Sequence, residues 1–291
     1  MIVISQDSAA WKINLAPLIL AGCFAVSMSS AAPIATNTAL PLSAGEIIIR
    51  EQIVATHASD SIGGIERHVD SLAALTVIGY GLTSKLALFG VLPVVTVDRR
   101  FGDVSASYSG LGDALLFARY EVFRLDNPGR TIRIAPFAGV RLPTGRDGKT
   151  GDGSLDIFGG LIATLASTQW VLDSQLRHDF NRAANGFERG DSTHLETSFQ
   201  YRLSPAKVVL DTDAFVYGVL EISANYYERN RTGGVIDPNS GGFHLYLTPG
   251  LQYATRRWIA DLGVKLPLVR DLNGTALEPD YSVLTSIRVN F

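Results

Sequence analysis

Cysteine is nearly missing from this chain of 291 residues, which holds a single one, Cys23, and two methionines. One thiol cannot close a disulfide within the chain, and no thiol cluster is present to ligate a metal. An excess of one charge is missing as well: 25 Lys and Arg face 28 Asp and Glu, a formal net charge of −3. The basic residues form neither a run nor a stripe with interleaved aromatics, so nucleic acid is not an expected partner. Although 46% of the chain is hydrophobic, nothing beyond about the first thirty residues offers the roughly 18 uninterrupted apolar residues of a membrane helix.

Catalytic signatures are absent too. No G-x-S-x-G elbow, H-E-x-x-H pair or complete P-loop occurs. Gly148-Lys149-Thr150 ends like a P-loop, but Pro143 stands where the first glycine is needed. The histidines are His57, His68, His178, His194 and His244. Ser174 and His178 fall on one face of a strand, the outward one, too far apart for a hydroxyl to reach its base. Asp147, Asp152 and Asp156 offer oxygens without the EF-hand spacing, which suits an exposed polar loop. The expectation is a protein that is not an enzyme, with no cofactor and no metal.

The one long apolar run, Leu15 to Val26, follows Lys12 and ends in the small residues Ser27, Ser29, Ser30, Ala31 and Ala32. This reads as a secretory signal peptide over residues 1–32. Within it Leu20-Ala21-Gly22-Cys23 resembles a lipobox, at which the Cys23 sulfur would be acylated. The apolar run continues through Phe24, Ala25 and Val26, which favours an ordinary signal peptide; either reading exports the chain. Residues 33–44 carry no strand pattern and are expected to be a loose N-terminal segment in the periplasm.

From residue 45 to 291 the dominant signal is a period of two. Tyr281, Val283, Thr285, Ile287, Val289 and Phe291 fall on one face and Ser282, Ser286, Arg288 and Asn290 on the other, with Leu284 as the exception. Only a strand sorts side chains this way. An apolar face backed by a polar one, ending in an aromatic, suits a transmembrane strand with lipid outside and water inside. Similar runs recur about every twenty residues and predict roughly twelve strands: Glu46–Thr56, Arg67–Tyr80, Lys85–Val97, Leu111–Arg124, Thr131–Leu142, Ser154–Ala166, Gln169–Phe180, Thr193–Leu203, Lys207–Tyr227, Phe243–Ala254, Arg256–Leu266 and Tyr281–Phe291. Connections alternate between tight turns and long polar loops, among them His57–Glu66 and Asp98–Gly110, as in barrels with short periplasmic and long external loops. Pro93, Pro136 and Pro249 interrupt strand patterns and mark bulges or kinks.

An all-β, antiparallel up-and-down barrel in the outer membrane of a Gram-negative bacterium follows. Its polar faces nominate lumen residues: Arg119, Glu121, Arg133, Arg141, Asp173, Gln175, Arg177, Asp179, Glu196, Gln200, Arg202, Asp261, Lys265 and Arg288. Their mixed signs suit a solvated wall of mutually neutralising charges better than a selective filter. Trp170, Tyr201, Tyr253, Trp258 and Tyr281 are candidates for the aromatic girdles. Phe291 is a candidate assembly signal for the β-barrel assembly machinery, and outer-membrane lipids are the surrounding partners.

Several segments together resemble a known family. They are Gly79-Tyr80-Gly81-Leu82-Thr83, Leu92-Pro93, Gly110-Leu111-Gly112-Asp113 with Ala118-Arg119-Tyr120, and Leu142-Pro143-Thr144-Gly145 with Gly151-Asp152-Gly153-Ser154. They are similar to the outer-membrane family described as "Putative MetA-pathway of phenol degradation". The resemblance covers Arg67 to Phe180 and implies a channel for small molecules, hydrophobic and aromatic ones included. The expected function is passive passage of such molecules, with a non-transporting surface anchor or adhesin as the alternative.

Overall fold

The computed structural model describes residues 32–209, 212–277 and 279–291. The signal peptide and lipobox expected over residues 1–32 lie outside the described residues except for Ala32.

Alternating apolar and polar side chains leave each strand with two unlike faces, and the chain satisfies both by closing into a ring. Twelve strands follow one another around it: β1 (Ile47–Ile62), β2 (Ile65–Gly81), β3 (Leu86–Phe101), β4, β5 (Arg130–Leu142) and β6 (Asp156–Ser167). The second half holds β7 (Trp170–Phe180), β8 (Ser192–Ser204), β9 (Ala214–Tyr227), β10 (Gly242–Thr255), β11 (Trp258–Leu272) and β12 (Pro279–Asn290). β4 comes in three pieces, Val104–Leu111, Ala114–Tyr120 and Phe123–Asn127. Every neighbouring pair is antiparallel, and β12 returns to β1, whose Ile53 pairs with Thr285. Phe291 and Ile47 exchange backbone hydrogen bonds at the seam, N to O at 2.8 and 3.2 Å. Closure gives every strand a partner on both sides.

Prolines account for the breaks. β4 stops pairing with β3 at Gly112 and Asp113, opposite Pro93. It breaks again at Glu121 and Val122, beside Pro136 of β5. Pro249 falls in the gap of the β10–β11 ladder between Leu247↔Leu266 and Gly250↔Gly263, across which the register is kept.

Three expectations change. His57–Glu66 and Asp98–Gly110 are not loops: β1 and β2 run on to a tight turn at Gly63 and Gly64, and β3 and the first piece of β4 to one at Gly102, all with positive φ. These hairpins project past the band of apolar outward residues. The ninth strand starts at Ala214 rather than Lys207, because a turn precedes it. Residues 33–44 are not loose in the periplasm but are threaded into the lumen, as described below.

Leu88, Leu116, Leu161, Leu195, Leu220, Leu251 and Ile287 are exposed on the outer face. Tyr80, Tyr120, Tyr201, Tyr253 and Trp258 ring the end that carries the short turns, as expected of an interfacial girdle. Glu51 departs from this pattern: it faces outward among isoleucines, and its carboxyl accepts a hydrogen bond from Thr76 at 3.0 Å.

Candidate functional site: a plugged, two-sided lumen

The inward polar residues pair around the wall. Arg133 reaches Glu121 at 3.0 Å. Arg141 spans Asp156 at 3.2 Å and Asp179 at 3.1 Å, and Arg177 also contacts Asp179. Gln200 donates to Asp173 at 3.0 Å and Gln175 to Glu196 at 3.1 Å. Arg202 ties to Thr168 O and Gln169 at the short-turn end, and Asp261 accepts from Ser286 at 2.7 Å. The Lys265 ammonium lies 4.4 Å over the Tyr246 ring. Arg288 faces inward, in register with Ile259. These opposite signs at contact distance form a neutralised wall.

Across this wall lies the segment preceding β1. A chain with no strand partner must find its backbone hydrogen bonds elsewhere, and here the lumen side chains supply them. Ala32 N donates to Gln252 at 3.0 Å, while Ile34 N and Ala35 N donate to the two oxygens of Glu221 at 2.8 and 3.0 Å. Ile34 O accepts from Gln52 at 2.9 Å and also from Arg50. Farther along, Asn37 donates to Gln175, Ala39 N to Thr164 at 2.7 Å, and Arg119 binds Thr38 O and Leu40 O.

The Ile34 side chain is fully buried in a socket made by two glycines. A Cβ on Gly250 would stand 2.4 Å from its Cδ1, and one on Gly263 3.2 Å. Leu284, the apolar exception on the polar face of β12, belongs to the same buried cluster.

Opposite the polar side, the wall of β3 to β6 is aromatic. Phe89 and Phe117 stack at 4.8 Å between centroids, and Phe117 meets Phe137 and Phe158 edge-on at 6.2 and 6.1 Å. Arg119 sits 5.0 Å from the Phe89 centroid and Arg177 4.1 Å from that of Phe158, within cation–π range. Glycines on adjacent strands make room for the rings. A Cβ on Gly79 would meet Phe89 at 2.8 Å, and one on Gly160 would meet Phe137 at 2.7 Å. Ala39 and Leu42 of the threaded segment pack against the lower edge of this wall.

Sequence reasoning missed these four rings. Their signal was phenylalanine at positions of the inward parity, beside inward glycines on neighbouring strands.

Above both halves opens a vestibule of about 940 Å³, lined among others by Pro93, Val95, Arg141, Arg189, Tyr227 and His244. Loops 143–155 and 181–191 border it, tied together by Arg189 to Asp152 at 2.7 Å and Asn185 to Asp147 at 2.6 Å. The β4 break aims Asp113 at the first loop, where its oxygens accept from Gly145 N at 2.9 Å and Asp152 N at 3.1 Å. Burial, with the neighbouring Asp152 carboxyl, outweighs these hydrogen bonds and raises the Asp113 pKa. Burial also pushes Asp152 up, but Arg189 and bonds from Asp113 and Ser154 overcome it and hold Asp152 below its ordinary value.

Ser174 and His178 face outward as expected but bond elsewhere, to Thr197 at 3.1 Å and Thr193 at 2.8 Å.

Among solved structures, an outer-membrane channel from Pseudomonas putida F1 is similar to this chain with a TM-score of 0.69 at 14% identity, covering 90% of this chain and 100% of that one. The translocator domain of the autotransporter NalP from Neisseria meningitidis gives 0.46 at 13%, covering 86% and 90%. The β domain of the Bordetella autotransporter BrkA gives 0.46 at 15%, covering 86% and 100%. No curated protein sequence matches. The first of these likenesses shows the fold of an outer-membrane barrel. The family described as "Putative MetA-pathway of phenol degradation" matches residues 60–266, most of the barrel, and the chain belongs to that family.

Proposed function

We propose that the protein is a passive outer-membrane channel for small apolar molecules, aromatic ones included. The observation that carries this reading is the phenylalanine wall between vestibule and plug, since a channel for polar solutes has no use for four rings on its inner face. The family's description, which refers to phenol degradation, agrees with it, as does the description of the Pseudomonas putida relative as an outer-membrane channel.

In this reading solute enters the vestibule, meets the half-buried ring of Phe117 at the face of the aromatic wall, and is stopped below by the segment 32–46. Passage to the periplasm requires that segment to swing out. A side path for apolar solute is available as well: the β11–β12 ladder ends at Lys265↔Ser282, whereas β11 runs on to Leu272. The wall is therefore unladdered between those strands in its outer part. Phe291, at the seam, serves as the assembly signal; its deletion lowers outer-membrane yield, read by heat-modifiable migration of the membrane fraction.

The test compares the mature chain with a variant lacking residues 33–42. In planar bilayers the deletion gives discrete conductance steps that the intact chain shows rarely. In outer-membrane vesicles the intact chain speeds uptake of a labelled apolar aromatic solute and not of a sugar of similar size. A folded barrel that does neither, with or without the deletion, would overturn the channel reading in favour of a surface anchor.

A further inference from the structure

On the outer face, the projecting hairpins of β1 to β4 carry an abrupt change of chemistry. On the outward parity Leu72 is the last large apolar residue of β2, and Val94, one row lower, that of β3. One row above Leu72, His57, Asp70, Asp98 and Ser107 align across four strands, and one row higher stand His68, Arg100 and Ser105. Asp70 lies ten residues along β2 from Tyr80 of the opposite girdle. At ~3.3 Å per residue and a tilt near 40° this is about 25 Å of height. That is the thickness of the apolar band, so these rows stand where the headgroups of the outer leaflet begin.

The rows enclose a groove of about 360 Å³, lined by His68, Asp70, Asp98, Arg100, Ser105 and Ser107 among others. Several of its polar groups are exposed and free to meet a ligand. Asp70 is held by His57 at 2.6 Å and His68 lies 3.5 Å from Glu66. Arg100, Asp98, Ser105 and Ser107 have no side-chain hydrogen bond or ion pair among the described residues. Asp70 and Asp98 are also set directly opposite each other, a cross-strand placement that repulsion disfavours and that hydrogen-bond donors lying between them would relieve.

We propose that this groove binds the phosphorylated sugar headgroup of an outer-leaflet glycolipid. Arg100 supplies the planar, bidentate donor that phosphate recognition uses. Asp98 and Asp70 accept hydrogen bonds from sugar hydroxyls, and Ser105 and Ser107 donate or accept between the two. A bare phosphate would be repelled by the two carboxylates, whereas a phosphosugar matches both signs. The inference rests on the barrel lying in the outer membrane and is independent of whether it transports anything.

The test incorporates the full mature chain in phosphatidylcholine nanodiscs doped with bisphosphorylated lipid A or with the same lipid stripped of its phosphates, and reads retained lipid by native mass spectrometry. The wild type retains bisphosphorylated lipid A roughly tenfold better than the stripped form, and Arg100→Glu removes that preference. Arg124→Glu, at the far rim, keeps it, and heat-modifiable migration confirms that both variants are folded. Equal retention of the two lipids, or unchanged retention by folded Arg100→Glu, would overturn the groove. A wild type that failed to enter the disc would overturn the membrane reading and the groove with it.

Discussion

The two halves of the lumen wall use the same strand geometry for opposite purposes. From β7 round to β1 the inward residues are polar, and Glu221, Gln252, Gln52 and Arg50 among them hold the threaded backbone by its N–H and C=O groups. From β3 to β6 they include Phe89, Phe117, Phe137 and Phe158, a band of rings that offers faces and edges and little to hold. The plug is therefore fastened all along the polar side, whereas on the aromatic side only Arg119 and Thr164, below the rings, hold it. A molecule entering between plug and rings displaces van der Waals contacts rather than hydrogen bonds, and the weaker side is the one suited to give way.

Four substitutions break or sharpen this contrast. Phe158→Ala opens the aromatic side and removes the ring under Arg177. It costs ~3 kcal/mol of unfolding free energy in urea titrations and lowers aromatic uptake, while sugar permeation stays as it was.

Glu221→Ala attacks the fastened side. It frees Ile34 N and Ala35 N, two hydrogen bonds worth about 1 kcal/mol each, and the open probability in planar bilayers rises roughly tenfold. An unchanged record would mean that the remaining bonds from Gln252, Gln52 and Arg119 hold the plug without Glu221.

Gly250→Ala acts on the same side, since the new Cβ meets the tip of Ile34 at 2.4 Å and the carbonyl oxygen of Leu262 at 2.7 Å. The expected result is a few-fold rise in open probability, and Ile34→Ala in the same background does not restore the wild-type level, because the contact with Leu262 O remains and the Ile34 packing is lost.

The smallest effect belongs to the vestibule. Asp113 has a raised folded pKa, so its contribution is complete at low pH and is lost as pH climbs from the ordinary value of 3.8 through the raised one. Asp152 has a lowered folded pKa, so its contribution is present above 3.8 and lost as pH falls through the lowered one. Loop 143–155 is thus firmest in mildly acidic solution and loosens on either side. A spin label at Lys149 reports this as a mobility minimum, and Asp113→Asn flattens the rise at higher pH.

Much of this was legible in the residues. Outward Leu195, Phe199 and Tyr201 against inward Ser198, Gln200 and Arg202 assign the two faces of β8 without any structure, because burial in a barrel follows parity. Prolines 93, 136 and 249 flagged the places where the ladder breaks. The long connections misled at His57–Glu66 and Asp98–Gly110, since strand pairing continues in water beyond the lipid band and needs no apolar face to mark it. The plug was illegible for a related reason. Pro33-Ile34-Ala35-Thr36-Asn37-Thr38 has no periodicity, because its partners are side chains such as Glu221 and Thr164, far away in sequence.

The sequence by itself determined a closed antiparallel barrel, its number of strands, its lipid face and the mixed charge of its interior. These depend on the side-to-side alternation of neighbouring residues, which is local. Only the tertiary structure decided that the interior is half aromatic and half polar, that residues 32–46 fill it, and that glycines 250 and 263 seat Ile34. Those features depend on which strands face one another across the lumen, and closure of the ring alone sets that.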